Sequence, residues 1–200
     1  MTMSRLVLSL ICVAVLGGCG SAPVEHYYTL LGQPASVGGD QSGAMSRVTV
    51  TLASVTIPET VDRSELVLRS GANSVAVMDT HRWVESLKSE IPRAIANDLS
   101  RDLDGALVSV QADNASRDAK YQVYVDITRF DSVLNDAASI DAFWSVRLAN
   151  GDQLRSDRVA LRIPVHGAGL DELVAAHTQA LAQLSEKIAT QIREIDAGRH

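Results

Sequence analysis

Five histidines and two cysteines carry most of the reactive chemistry open to this 200-residue chain. His26, His81, His166, His177 and His200 lie far apart, with no spacing that would gather metal ligands. No paired cysteines, phosphate-cradling glycine loop, zinc-type HExxH or GxSxG elbow accompanies them. His177 falls on the apolar stripe of a helical stretch, where an imidazole could serve as ligand or base. No second titratable group shares its face within one turn, so a packed, hydrogen-bonded ring is the expected role. Asp126 and Asp131 bracket Arg129, and paired carboxylates can do acid–base work. They lie in a strand that should be half exposed, and a solvated face with surface ion pairs is the expected role. The residues therefore point away from an enzyme, and they define no metal or cofactor site.

The cysteines belong to different chemistry. Arg5 precedes Leu6 to Leu16 (LVLSLICVAVL), an uncharged apolar run within the roughly 7–15 residues of a secretory signal core. It is too short to span a bilayer, which takes about 20 apolar residues. Leu16-Gly17-Gly18-Cys19 closes the run. This resembles the lipobox of bacterial lipoproteins, with Gly17 where alanine or serine is usual. The resemblance implies that residues 1–18 are a signal peptide and that Cys19 becomes the first mature residue. It would carry a covalent diacylglycerol and an N-acyl chain such as palmitate, a nearly permanent anchor. Gly20, rather than aspartate, implies delivery to the outer membrane, with the domain facing the periplasm. Cys12 would leave with the signal and Cys19 would be blocked by lipid. No disulfide is then expected, and packing alone must hold the fold.

The chain has 18 Lys and Arg against 24 Asp and Glu, a net charge of −6. Removing the signal takes away one arginine and no acid, so the mature form is more acidic still. That balance argues against nucleic acid and against loose adhesion to anionic lipid. After a short tether over 19–26, Tyr27 to Leu31 reads as a first strand and Gly32 to Met45 as a polar loop. Arg47 to Val55 alternates as a strand, with Val48, Val50, Leu52 and Ser54 on one face. Glu65–Arg69 and Ser74–Met78 flank a Gly/Asn turn and read as a hairpin. Asp79 or Thr80 can cap a helix beginning near His81, with Trp83, Leu87, Ile91, Ile95, Leu99 and Leu103 as its stripe and Pro92 predicting a kink or break near Ser89 to Ile91. Strands follow at Leu107–Val110, Lys120–Leu134, Ile140–Leu148 and Leu154–Val165, the last pair joined at Asn150-Gly151. Leu170–Ile195 is an amphipathic helix with Asp171 and Glu172 at its positive end. Trp83 and Trp144 are expected in the core.

In this order the chain resembles the PqiC-type lipoproteins, auxiliary lipoproteins of MCE-type transport systems. The matching stretches are Tyr27 to Leu30, Ile57 to Arg63 running into Glu65 to Arg69, His81 to Glu85, Asn97 to Leu103, Tyr121 to Asp131, and Trp144. His81 stands where that family usually has asparagine. The resemblance implies one α/β domain over 27–197, a mixed β-sheet flanked by helices, similar to the anticodon-binding-domain-like fold. It further implies an outer-membrane lipoprotein that docks a periplasm-spanning MCE-domain tunnel and supports envelope integrity, with a homo-oligomeric ring as a plausible form. Pro58, Asp62, Arg63, Arg69, Arg82 and Trp83 are the expected partner-contact residues. The rival readings are an assembly lipoprotein that chaperones or plugs an outer-membrane β-barrel, and a periplasmic hydrolase, for which no nucleophile–base set is found.

Overall fold

A computed structural model describes residues 23–30, 48–110, 119–149 and 152–198. Cys19 and the signal peptide expected before it, the expected loops over 32–45 and 113–118 and the expected Asn150-Gly151 turn lie outside the described residues. The elements are β1 (His26–Tyr28), β2 (Thr49–Thr56), β3 (Glu65–Gly71), β4 (Ser74–Trp83), α1 (Leu87–Asp102), β5 (Leu107–Val110), β6 (Tyr121–Val133), β7 (Ala137–Leu148), β8 (Gln153–Pro164) and α2 (Leu170–Ala197). No described helix is long and apolar enough to cross a membrane.

The strands form two sheets. The larger has the order β5-β2-β6-β7-β8, with β2 parallel to both β5 and β6 and the rest antiparallel. Alternation along β6 buries Tyr121, Val123, Val125 and Ile127 and leaves Asp126 and Thr128 exposed. β2 departs from the half-buried strand its sequence predicts. Flanked on both edges, it buries Thr51 and Ala53 as well as Val50 and Leu52, as parallel strands do. The Thr51 hydroxyl is satisfied there by the Ser109 hydroxyl at 2.9 Å. A register shift between Leu52 and Ser54 also breaks the predicted single face.

α1 packs on β2 and β5, α2 on β7 and β8, and the helices on each other. Leu87, Ile91, Ile95 and Leu99 of α1 and Leu173, Leu181, Leu184, Ile188 and Ile192 of α2 are all at most 1% exposed and join one core with the sheet. Burial of these stripes is the main stabilising term, at about 1.5–3 kcal/mol per fully buried large aliphatic side chain. Arg193 of α2 donates to the Asp102 carbonyl at 2.7 Å, satisfying an acceptor at the end of α1. Asp196 accepts from the Tyr121 hydroxyl at 2.8 Å and from Lys120, tying the end of α2 to the start of β6.

The smaller sheet has the order β1-β4-β3. β3 and β4 form the predicted hairpin, and β1 adds to β4 in parallel, with His26 opposite His81 and Tyr28 opposite Trp83. Three local expectations are corrected here. The helix begins at Leu87, not near His81. Residues 79–83 stay extended as part of β4, because β1 pairs with 81–83 and the Trp83 amide donates to the Ser64 carbonyl at 2.8 Å. The first strand ends at Tyr28, since the Leu30 amide turns away to donate to Glu90 Oε2 at 2.7 Å. Pro92 does not break α1, which runs through it from Leu87 to Asp102. It is the sixth residue of the helix, so the hydrogen bond it cannot make belongs to the Lys88 carbonyl in the first turn.

Candidate functional site

Of the residues weighed for acid–base work, His177 alone is taken into the core. His177 is 1% exposed, its Nε2 lies 2.8 Å from the Ser132 hydroxyl, and its ring stacks on Phe130 at a centroid distance of 4.0 Å. Burial in this apolar setting lowers its pKa from 6.5 to about 3, against a small opposing pull from Asp131. A serine 2.8 Å from an imidazole has the distance of a nucleophile–base pair. Here both groups are buried, and Nδ1 has no hydrogen-bond partner among the described residues, so no carboxylate orients the ring. The pair closes a gap between β6 and α2. Asp126 accepts from the Thr56 hydroxyl on the open face of the large sheet. The shallow cavity it borders, about 430 Å³ beside Tyr124, Phe143 and Arg158, has no histidine in its lining.

The predicted contact residues separate into three groups. Asp62, Arg63 and Arg82 come together where the base of the hairpin meets the start of α1. Lys88 Nζ lies 2.5 Å from Asp62, Arg63 Nε is 3.6 Å from Glu65, and Arg82 Nη1 is 3.2 Å from Glu65. Arg82 Nε also reaches Glu25 at 3.4 Å. Pro58 sets the entry to the short 3-10 turn Glu59–Val61, its carbonyl accepting from the Val61 amide at 3.1 Å. These charges are partly to half exposed, so each pair adds little to stability and its members can be exchanged for a partner's charges.

Arg69 stands apart from that cluster. Its Nε and Nη2 grip Asp131 of β6 at 2.9 and 2.8 Å, fastening the hairpin to the large sheet. Burial alone would raise the Asp131 pKa, but hydrogen bonds from Arg69 and Arg129 prevail and hold it below the ordinary carboxylate range. Trp83 is 6% exposed and belongs to the core, as does Trp144, so neither is free for a partner.

Glu90 is the buried group that sequence reasoning missed. It is 1% exposed, and its two oxygens accept from the Leu30 amide (2.7 Å), the Thr29 hydroxyl (3.2 Å) and the Glu85 amide (3.2 Å). An acid in the first turn of a helix ordinarily faces solvent near the positive end of the dipole. The signal available was its spacing, three residues after Leu87 on the buried stripe. Burial raises its pKa, against the pull of the Leu30 and Thr29 hydrogen bonds. Its role is to lock the incoming N-terminal chain onto α1.

The two ends of the small sheet differ. β1 enters alongside β4 from the side of the hairpin turn, so the Asp62–Arg63–Arg82–Lys88 cluster lies at the end away from that turn.

Comparison with known proteins adds the family signal. The model for the ABC-type transport auxiliary lipoprotein component matches residues 28–189. A crystal structure of an uncharacterized protein superposes with a TM-score of 0.68 at 20% identity, covering 85% of this chain and 99% of the other. Protein XCC0632 from Xanthomonas campestris, assigned to DUF330, superposes at 0.61 and 15% identity, covering 89% of this chain and 97% of the other. At these identities the superpositions show a shared fold. No curated protein matches at a significant level.

Proposed function

Because the chain belongs to the ABC-type transport auxiliary lipoprotein family, we propose that it is the outer-membrane lipoprotein of an MCE-type lipid transport system. The observation that carries this is the family match over 28–189, which spans nearly the whole described domain. The anchor on Cys19 would confine the domain to the periplasmic face of the outer membrane. The Pro58, Asp62, Arg63 and Arg82 surface would then receive the MCE-domain tunnel, its charges steering encounter and fixing register. Support for that surface comes from its placement at the end of the small sheet away from the tether's approach. A symmetric tunnel favours a symmetric ring of copies. No proton or bond needs to move at this site; its work is adhesion and alignment.

A mild-detergent pull-down of the lipidated protein from membranes tests the reading, with Cys19→Ala and Arg63→Glu beside it. The expected result is an MCE-domain protein recovered with the wild type, lost with Cys19→Ala and reduced with Arg63→Glu although that variant stays membrane-bound. Recovery of an outer-membrane β-barrel instead would favour the barrel-assembly reading, and recovery of no partner would refute the docking role.

A further inference from the structure

We infer that the turn end of the β3–β4 hairpin rests on the lipid surface that holds the Cys19 anchor, an inference that depends on the anchored-lipoprotein reading above. β1 runs parallel to β4 with His26 opposite His81, so chain upstream of His26 approaches from the side of the hairpin turn. Cys19 precedes His26 by seven residues, and Ser74 precedes His81 by seven. Seven extended residues reach at most about 25 Å, and the same number in a strand spans about 23 Å. The reach of the tether thus matches the distance from His81 to the turn. A domain held so closely meets the bilayer with that end of the small sheet.

The surface at that end suits a lipid interface. Val75 and Val77 alternate onto one face of β4 and are 51% and 38% exposed. Ser70 to Ser74 carries no charge, and the neighbouring Arg69 is already held by Asp131. Val24, on the tether itself, is 73% exposed. The charged cluster of Asp62, Arg63 and Lys88 occupies the opposite end. Two half-exposed valines could not bring a protein to a membrane. The acyl anchor supplies the affinity, and at the high effective concentration it creates, a small apolar contact suffices to set orientation. With the turn against lipid, the charged end points into the aqueous space.

The test uses the full lipidated protein in vesicles of phosphatidylethanolamine and phosphatidylglycerol. Asn73→Cys in the turn and Glu59→Cys at the opposite end each receive an environment-sensitive fluorophore. Lipid on Cys19, the other cysteine of the mature chain, is verified by mass. The label at position 73 is expected to shift its emission to the blue and to lose intensity when the vesicles contain doxyl-labelled lipid, while the label at 59 does neither. Val75→Asp with Val77→Asp, added to Asn73→Cys, should abolish both changes while the protein stays vesicle-bound. With Cys19 acylated, equal water exposure of the two labels overturns the inference. Shielding of position 73 in native membranes but not in protein-free vesicles assigns the face to a protein and overturns the lipid contact. A mature chain without acyl groups overturns the anchor reading itself, an outcome separate from the others.

Discussion

Acidification from about pH 7.5 to about pH 5 is expected to cost the folded protein about 2 kcal/mol through His177 alone. In the fold the ring is buried against Phe130 and Ser132 and its pKa falls to about 3, so it stays neutral across this range. In the unfolded chain it titrates at its ordinary 6.5. The stabilisation is therefore complete above 6.5 and is lost as pH falls toward the folded pKa, at about 1.36 kcal/mol per unit. One and a half units, from 6.5 to 5, give the about 2 kcal/mol. The assay is urea unfolding followed by tryptophan fluorescence at both pH values, on the wild type and His177→Leu. The variant leaves the buried Ser132 hydroxyl without its partner, which costs about 1–3 kcal/mol near neutrality. Its deficit relative to wild type should then shrink by about 2 kcal/mol at pH 5. Asp131, whose pKa is lowered, loses its contribution only as pH falls through the carboxylate range, and it does so in both proteins. Parallel pH profiles for the two proteins would refute a neutral, inaccessible His177 and return it to the set of groups open to solvent chemistry.

Two other buried or part-buried acids make separate predictions. Glu90→Gln must turn its amide nitrogen toward one of the backbone N–H donors that now face carboxylate oxygens, at a cost of about 1–3 kcal/mol. Because the folded pKa of Glu90 is raised, the wild type loses stability as pH rises through it, and urea titrations of the variant should lack that decline. Asp131→Asn removes the charge from a pair whose arginine is one-third exposed, so the global cost should stay near 1 kcal/mol. Its local signature should be faster amide exchange in β3 and β4, read by hydrogen–deuterium exchange, with β7 and α2 unchanged.

Features that depend only on neighbours along the chain are legible in the residues. The hairpin around Gly71 to Ser74, the alternation from Tyr121 to Ile127 and the stripe of Leu87, Ile91, Ile95 and Leu99 all emerged where periodicity placed them, because each needs only a few adjacent residues to choose its buried face. The order of family-like stretches is of the same kind, a pattern in the chain, and the family match over 28–189 follows it. Partner choice across long separations belonged to the tertiary structure. Only packing could place β2 between β5 and β6, or carry β1 onto residues 81–83 and so delay the helix to Leu87. The same holds for the candidate contact surface. Asp62, Arg63 and Arg82 meet because the base of the hairpin folds onto α1, whereas Arg69 is drawn away to Asp131, 62 residues on, and Trp83 is taken by the core. Propensity and periodicity act within a turn or a strand. The desolvation of Glu90 and His177 and the pairing of distant charges depend on which surfaces the whole chain brings together, and that is decided only when the core closes.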